Sequence, residues 1–281
     1  MKIINSIHDM QTFSQQQKSD GKKIGFVPTM GFLHKGHLSL VEEAKKRNEI
    51  VVVSIFVNPT QFGEGEDFDI YPKDFERDKE MLENMEVDVI FYPTVDEIYP
   101  KSYNTYVDVY GVTDKLCGAS RPGHFRGVTT VVSKLFNCVL PDNAYFGLKD
   151  AQQVVVISKM ARELHFPVNI VPCPIVRESD GLALSSRNVN LTKEQREHAT
   201  VLYKSLKKAE EMIEDGCLDA NQIKQVLKDE ITTYQEARLD YIEVVDFDTL
   251  EDVKTIQGKT LLALAVKIGK VRLIDNLIVE V

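Results

Sequence analysis

The segment PTMGFLHKGH, residues 28–37, brings His34 and His37 together with Gly31 and Gly36 directly after an apolar run. Apolar residues then recur with helical spacing, so the histidines are expected where a helix begins. A helix start offers unpaired backbone N–H groups and partial positive charge, and both attract phosphate. Glycine lets the backbone approach a ligand closely. The pattern predicts a nucleotide phosphate site, although half of a metal site or an ordinary turn would also fit it.

Two later segments also carry polar groups that suit ligands. NPTQFG, residues 58–63, presents amide side chains that could bind a small polar substrate, or it forms a plain turn. RPGHFRG, residues 121–127, places Arg121 and His124 before a helical run, where they could bind an anion or pair with structural carboxylates. In the acidic run at residues 66–69, Glu66 is expected to face solvent, and Asp67 and Asp69 are candidate magnesium ligands.

Further along the chain, GLKD and LSSRN, residues 147–150 and 184–188, offer groups for phosphate. Lys149 is a point charge at a predicted strand end, whereas Asp150 could serve only as an N-cap. The two serines and Arg187 could close over phosphates, or they could belong to an exposed turn.

Strands and helices alternate in the first 175 residues, which predicts an α/β fold with a doubly wound, Rossmann-like parallel sheet. The nearly continuous apolar run Ile50–Val57 is expected at the centre of that sheet. Ligands collect at the carboxyl ends of such strands, so the polar segments are expected to meet in one crevice. The predicted strands are Lys23–Val27, Ile50–Val57, Val87–Phe91, Ala144–Phe146 and Val168–Val171, with helices beginning near Gly36, Asp74, His124 and Asp150.

The pattern changes after Arg177. Thr192-Lys193-Glu194-Gln195 matches a capping box, and the helix that it begins is expected to run to about Asp215. A second helix is predicted near Asp219, followed by strands over 239–245, 261–268 and 271–281 with a hairpin at Gly269-Lys270. We therefore predict two domains, residues 1–176 and a smaller α+β lid of residues 177–281, with a linker around 176–181.

The composition narrows the classes of partner. A net charge of -9 and a pI near 5.3 argue against a nucleic-acid surface, so an anionic substrate must meet a local basic pocket. The four cysteines lack paired spacing, which favours free thiols in the cytoplasm. No apolar run in the sequence approaches the length of a membrane span, and the first residues lack the pattern of a signal peptide.

Taken in order, the motifs PTMGFLHKGH, FVNPTQFG, EDFDIYP, LCGASRPGHFRGV, YFGLKDAQQ and LALSSRN resemble those of the pantothenate synthetase (pantoate–β-alanine ligase) family, within the HxGH nucleotidyltransferase superfamily. The resemblance implies an ATP-dependent carbon–nitrogen ligase of pantothenate and coenzyme A biosynthesis. Such an enzyme activates (R)-pantoate with Mg-ATP as pantoyl adenylate, and the amine of β-alanine then displaces AMP. It also implies a homodimer and Mg2+ carried mainly by the ATP phosphates, with no protein metal site.

By the same resemblance, Gln61 and Gln153 would bind pantoate, and Gln61 would also contact β-alanine. His37 matches a residue assigned as proton donor, although His34 and His37 could equally stabilise charge. Lys149 and Arg187 complete the implied catalytic set. The implied ATP-binding residues are Met30, Gly31, Phe32, Leu33, His34, Lys35, Gly36, His37, Gly147, Leu148, Lys149, Asp150, Val176, Leu184, Ser185, Ser186 and Arg187.

Arg121 and His124 correspond to a family motif near the β-alanine and dimer side. Lys73 and Glu64-Gly65 depart from the usual family pattern, which puts the shape of that loop in doubt. The residues argue against two other functions. A simple adenylyltransferase would need no pocket for a hydroxy acid, so Gln61 and Gln153 speak against it. A nucleotide-sensing module without catalysis would require decay of the phosphate-contacting set, yet His34, His37, Lys149 and Arg187 are all present.

Overall fold

The computed structural model describes residues 1–63 and 68–281, and within them one sheet contains six parallel strands. The strands are β1 (Lys2–Ile4), β2 (Ile24–Thr29), β3 (Ile50–Ile55), β4 (Val89–Phe91), β5 (Asn143–Gly147) and β6 (Asn169–Cys173). The helices between them are α1 (Ile7–Ser19), α2 (Lys35–Lys45), α3 (Phe75–Asn84), α4 (Val95–Ile98), α5 (Cys117–Ser120), α6 (His124–Val139) and α7 (Ala151–Glu163). The predicted doubly wound α/β architecture is confirmed. Helix length and composition in the described ranges fall short of what a membrane-spanning helix requires.

The strand order β1-β4-β3-β2-β5-β6 reverses direction between β2 and β5. From β2 the chain moves through β3 to β4 on one side, and it returns to β5 and β6 on the other. A reversal of this kind opens a crevice at the carboxyl ends of the two strands. The histidine segment follows β2, and a 3-10 turn at Leu148–Asp150 follows β5, so both phosphate candidates flank this crevice. Strand β3 is buried throughout, as expected of a central strand.

Strand β1 and helix α1 were not predicted. Strand β1 has only three residues, two of them exposed, and it pairs with β4 alone at the sheet edge. Helix α1 buries only Met10 and Ser14, so its apolar periodicity is faint. A short edge strand and a largely polar helix carry too little pattern to stand out in a sequence.

The other sheet in the described part of the chain is antiparallel and has three strands, β7 (Ala237–Asp246), β8 (Lys259–Ile268) and β9 (Val271–Glu280). The predicted hairpin at Gly269-Lys270 is confirmed, because β8 and β9 pair from Lys259 to Ile268 across that turn. Helices α8 (Lys193–His198), α9 (Val201–Glu214) and α10 (Ala220–Ile231) precede the sheet.

The prediction of one helix from residue 193 to about 215 is wrong. The capping box forms, since Gln195 N donates to Thr192 Oγ1 at 3.2 Å and Thr192 N donates to Gln195 Oε1 at 3.2 Å. The helix then breaks at Ala199-Thr200. Thr200 Oγ1 donates to the Glu197 carbonyl at 2.8 Å, a side-chain bond that competes with the backbone ladder of a helix.

Strand β8 contributes to two hydrophobic cores. Leu262 and Leu264 pack with residues of α9 and α10, whereas Leu261 and Ala263 pack with the core of the first sheet, which includes Val128 of α6. Successive side chains of a strand point to opposite faces, so one strand can serve two cores. The domain boundary at residues 176 and 177 stays a prediction.

The predicted linker at 176–181 is a packed hairpin. Leu184 N donates to the Val176 carbonyl at 3.0 Å, and Glu178 N donates to the Leu182 carbonyl at 2.9 Å. Gly181 turns the chain with φ +93°, and a Cβ there would lie 1.9 Å from Cδ1 of Tyr203 in α9. The junction is therefore held against the second group of helices and is not an open connection.

Candidate active site

His34 and His37 cap helix α2. His34 occupies the N-cap, and its Nδ1 accepts from Gly36 N at 3.2 Å, while Nδ1 of His37 accepts from His34 N at 3.3 Å. This is a capping box built from two imidazoles, whose centroids lie 4.0 Å apart. Because each Nδ1 is an acceptor, the hydrogen-bond pattern assigns the proton of each neutral ring to Nε2.

The surroundings keep both rings neutral. Burial lowers the pKa of His34 to about 4, and the charge of Lys149 acts in the same direction. Burial also holds the pKa of His37 well below its ordinary value, with further lowering by His34 and Lys149. At neutral pH both rings are therefore uncharged and can donate hydrogen bonds through Nε2–H. Lys149 lies close enough for its charge to act on them.

Asp78 and Arg77, in the first turn of α3, hold the backbone that leads into His34. Phe32 N and Leu33 N donate to the two carboxylate oxygens of Asp78 at 2.6 and 2.7 Å. Arg77 Nη2 donates to the Leu33 carbonyl at 2.9 Å, and the Arg77 guanidinium lies 5.0 Å from the centre of the Phe32 ring. Burial raises the pKa of Asp78, while the bonds from Leu33 and Phe32 oppose that rise.

The turn after β5 brings Lys149 and Asp150 to the crevice. Lys149 Nζ lies 3.5 Å from Asp150 Oδ1. Asp150 stands at the N-cap position of α7, yet its side chain makes no capping hydrogen bond, so the interpretation of Asp150 as only an N-cap is wrong. The Leu148 and Lys149 carbonyls each accept from Asn276 Nδ2 at 2.9 Å, which ties this turn to β9.

Gln61 lies in a one-turn 3-10 helix, Pro59–Gln61, that follows β3. Asn58, which is buried, donates through Nδ2 to the Gln61 side-chain oxygen at 3.2 Å and to the Gly127 carbonyl at 3.1 Å. A Cβ on Gly127 would lie 2.3 Å from the Thr60 carbonyl oxygen, so α6 approaches this turn too closely for any other residue. The turn is thus fixed in place, with Gln61 at its end.

Arg121 and His124 hold the same turn from the other side. His124 Nδ1 donates to the Gln61 carbonyl at 2.8 Å, and Arg121 Nη2 donates to it at 3.4 Å. Arg121 Nη1 donates to His124 Nε2 at 3.1 Å, a pairing that places the proton of the neutral ring on Nδ1. These two side chains therefore act on the backbone at Gln61.

The loop at the domain junction reaches the first sheet. Tyr71 Oη and Ser186 Oγ lie 3.0 Å apart, and Ser185 Oγ accepts from Arg187 N at 3.3 Å. A Cβ on Gly36 would stand 3.8 Å from Leu184 Cβ, so the histidine turn and the junction loop are neighbours.

One cleft of about 230 Å³ joins these segments. Arg121 and His124 line this cleft together with most of the residues that were predicted for the site. Those residues are Met30, His34, Gly36, His37, Gln61, Gly147, Lys149, Asp150, Gln153, Val176, Leu184, Ser185, Ser186 and Arg187. Five predicted ATP-binding residues do not line the cleft, namely Gly31, Phe32, Leu33, Lys35 and Leu148. Leu33 is fully buried behind the turn, and Lys35 is exposed.

Asp69 of the acidic run is not among the residues that line this cleft. Glu64, Gly65, Glu66 and Asp67 lie outside the described residues, and Asp69 is exposed. Among residues 1–63 and 68–281, no three His, Cys, Asp or Glu side chains converge as a set that could hold a metal ion. Asp150 is the only carboxylate of the described residues that lines the cleft.

The residues that support the cleft without lining it were not predicted from the sequence. Asp78 and Arg77 sit in the charged stretch FERDKEMLEN, which is typical of a solvated helix. Only the short gap between Tyr71-Pro72 and the start of α3 hints that this helix begins beside the site. Gln152, next to the predicted Gln153, is a further example, since its side chain bonds to Cys117 N and to the Val112 and Lys115 carbonyls.

Comparison with known proteins gives full-length matches. The protein named pantothenate synthetase of Acetivibrio thermocellus is 58% identical over 281 residues, covering 100% of both chains. Its namesake of Caldicellulosiruptor bescii is 55% identical over 280 residues, covering 100% of this chain and 99% of its own.

Solved structures agree with these sequence matches. The crystal structure of pantothenate synthetase from Thermus thermophilus has a TM-score of 0.94 at 44% identity and 99% coverage of each chain. The pantoate–β-alanine ligase of Francisella tularensis, described as complexed with β-γ ATP and β-alanine, has a TM-score of 0.81 at 36% identity, covering 99% of this chain and 97% of that one. The family model described as pantoate-beta-alanine ligase matches residues 2–278. The chain therefore belongs to the pantoate–β-alanine ligase family.

Proposed function

We propose that this chain condenses (R)-pantoate with β-alanine at the expense of ATP, giving (R)-pantothenate, AMP and pyrophosphate through a pantoyl adenylate. Its family membership supports the activity, and the ATP and β-alanine of the Francisella ligase support the substrates. The observation that carries the proposal is a cleft that His34, His37 and Lys149 line together with Gln61 and Gln153. Phosphate-binding groups and groups for a hydroxy acid thus share one space.

The chemistry requires no protein nucleophile. The pantoate carboxylate attacks the α-phosphorus of ATP, and the bond from the α-phosphorus to the bridging oxygen of pyrophosphate breaks. The amine of β-alanine then attacks the acyl carbon, loses a proton, and AMP departs with the oxygen that joined it to the acyl group. What the protein must supply is orientation and stabilisation of negative charge.

His34 and His37 supply charge stabilisation as neutral donors. Their Nδ1 atoms are committed to backbone N–H groups, which leaves Nε2–H for phosphate oxygens. Because burial lowers the pKa of His37 well below its ordinary value, little of the ring is in the protonated form that could give a proton to the departing pyrophosphate. We therefore assign hydrogen bonding to the α-phosphate and the bridging oxygen, with Lys149 and Arg187 as the cationic partners.

Gln61 and Gln153 are assigned to pantoate. Gln61 Nε2 contacts only the thioether sulfur of Met30, at 2.8 Å, among the described residues, and a thioether is a weak acceptor that a hydroxyl or carboxylate can replace. Gln61 also adjoins the Arg121 and His124 side of the cleft, which is where we place β-alanine. This arrangement would put the amine beside the acyl carbon of the adenylate.

Mg2+ is proposed to arrive with ATP. Asp150 is the one carboxylate that residues 1–63 and 68–281 bring to the cleft, and a single carboxylate suits an ion already bound by phosphate oxygens and water. The ion would neutralise phosphate charge. Residues 177–281 are proposed to close over the phosphates through the 184–187 loop.

We also infer a cytoplasmic homodimer. The four cysteines are free thiols, as is usual in a reducing compartment. Tyr106 and Tyr110 expose 42% and 76% of their surface before α5, and these exposed rings offer apolar area that a second copy of the chain would cover. Sedimentation of the wild type and of a Tyr106→Ser, Tyr110→Ser double variant tests this, and a monomeric wild type would contradict it.

Incubation of the purified protein with pantoate, β-alanine, Mg2+ and ATP tests the activity. AMP and pyrophosphate should form only when pantoate is present. With β-alanine omitted, pantoate should still support exchange of labelled pyrophosphate into ATP. Release of ADP, or AMP formation that ignores pantoate, would overturn the mechanism.

A further inference from the structure

The backbone donors of Phe32 and Leu33 already have a partner. Both bonds end on Asp78, whose side chain is only 1% exposed, so neither N–H is available to a nucleotide phosphate. The phosphate turn therefore contains two kinds of residue. His34 and His37 face the cleft, whereas Phe32 and Leu33 face α3.

The turn also has an unfavourable backbone that needs support. Gly31 has φ +82°, and Phe32 has φ +50°, a left-handed conformation that is unfavourable for a residue with a Cβ. A Cβ on Gly31 would lie 3.1 Å from Asp78 Oδ2, so this carboxylate closes tightly against the turn. Such conformations persist only where the surrounding contacts over-determine them.

We propose that Asp78 is a positioning residue for ATP. Its two oxygens hold the Phe32 and Leu33 peptides in the left-handed turn, and Arg77 holds the Leu33 carbonyl from the same helix. This fixes His34 at the N-cap of α2, where His34 and His37 line the cleft. Asp78 itself touches no substrate. The proposal rests on the proposed function only for its kinetic readout.

Asp78→Asn is the direct test. The asparagine keeps the size of the side chain but offers one oxygen, so one backbone donor meets an NH2 group and loses its bond. A lost bond to a charged group changes affinity by about tenfold or more. We expect the KM for ATP, and the dissociation constant of a non-hydrolysable ATP analogue, to rise about tenfold, while the KM for pantoate changes less than twofold.

Asp74→Ala is the matched control. Asp74 Oδ1 accepts from Arg77 N at 3.2 Å and so caps the same helix, but it does not contact the turn. Loss of the cap lowers the stability of α3. Both variants should weaken the start of α3, and only Asp78→Asn should raise the ATP constants.

Three results would overturn the proposal. They are an unchanged ATP constant in folded Asp78→Asn, an equal rise in the pantoate KM, and an equal effect of Asp74→Ala. Should Asp78→Asn fail to fold, Arg77→Ala replaces it, since that half-exposed side chain donates to the Leu33 carbonyl and its loss should raise the ATP constants about threefold. Binding of the analogue tests the inference even if the wild type releases no AMP, which would instead defeat the proposed function.

Discussion

Arg177 and Asp275 form a bidentate ion pair that links the junction hairpin to β9. Nη1 lies 2.6 Å from Oδ2, and Nη2 lies 2.9 Å from Oδ1. Asp275 is 2% exposed, so the pair is shielded from water on the carboxylate side. The next residue, Asn276, binds the turn that carries Lys149. Strand β9 therefore anchors two segments of the cleft at once.

Asp275→Asn should lower the free energy of unfolding by about 3 kcal/mol, because it leaves the Arg177 guanidinium beside a neutral partner in a buried position. Urea titration measures the change. Asp248→Asn, an exposed position in the turn after β7, is the control and should change stability by less than about 0.5 kcal/mol. Equal stabilities for the two variants would contradict the role of the pair.

Asn276→Ala should raise the KM for ATP several-fold. The change removes both donors to the Leu148 and Lys149 carbonyls and so loosens the turn that positions Lys149. The expected cost in stability is about 1–2 kcal/mol. Steady-state kinetics at varied ATP provide the measurement, with Asn221→Ala, at an exposed position in α10, as the control. A normal KM for ATP would show that the turn keeps its shape without Asn276.

His37→Gln should retain far more activity than His37→Ala. Glutamine at this helix position can accept from His34 N, which restores the capping box, and its amide still offers a donor to phosphate. Glutamine cannot give up a proton. If single-turnover adenylate formation is equally slow in both variants, His37 acts as an acid and the assignment as a neutral donor is wrong.

Stability should fall as the pH drops from about 6.5 towards 4. His34 has a pKa of about 4 in the folded protein against 6.5 for an unperturbed histidine, so across this interval the unfolded chain binds more protons. The contribution of His34 to the free energy of unfolding is complete above pH 6.5 and is lost on acidification. Its size is about 2 kcal/mol after allowance for the partial exposure of the ring. His34→Asn keeps a good N-cap and removes this titration. Urea titrations at pH 7.5, 6.5 and 5 should show a shallower decline for that variant than for the wild type.

The alternation of strands and helices from β2 to β6 and the hairpin at Gly269-Lys270 could be predicted, because each depends on local pattern, whereas the short edge strand β1 and the largely polar helix α1 could not. Turn residues after an apolar run mark a strand end, and parallel strands bring their ends together. The support for the cleft could not be predicted. Asp78 and Asn276 look like ordinary surface residues in the sequence, and only distant partners give them their roles. The break at Thr200 was not predicted, because the sequence of an amphipathic stretch does not show which carbonyl a threonine hydroxyl will bind.

The two faces of β8 separate two kinds of mutational effect within four consecutive residues. Shortening Leu262 or Leu264 removes packing around α9 and α10, and shortening Leu261 or Ala263 removes packing between the two sheets. The first kind of change weakens the packing of the antiparallel sheet on its own helices, while the second weakens its packing on the core of the parallel sheet. Substitutions at Leu261 or Ala263 therefore alter the fit between the two sheets and leave the contacts of Leu262 and Leu264 with α9 and α10 in place.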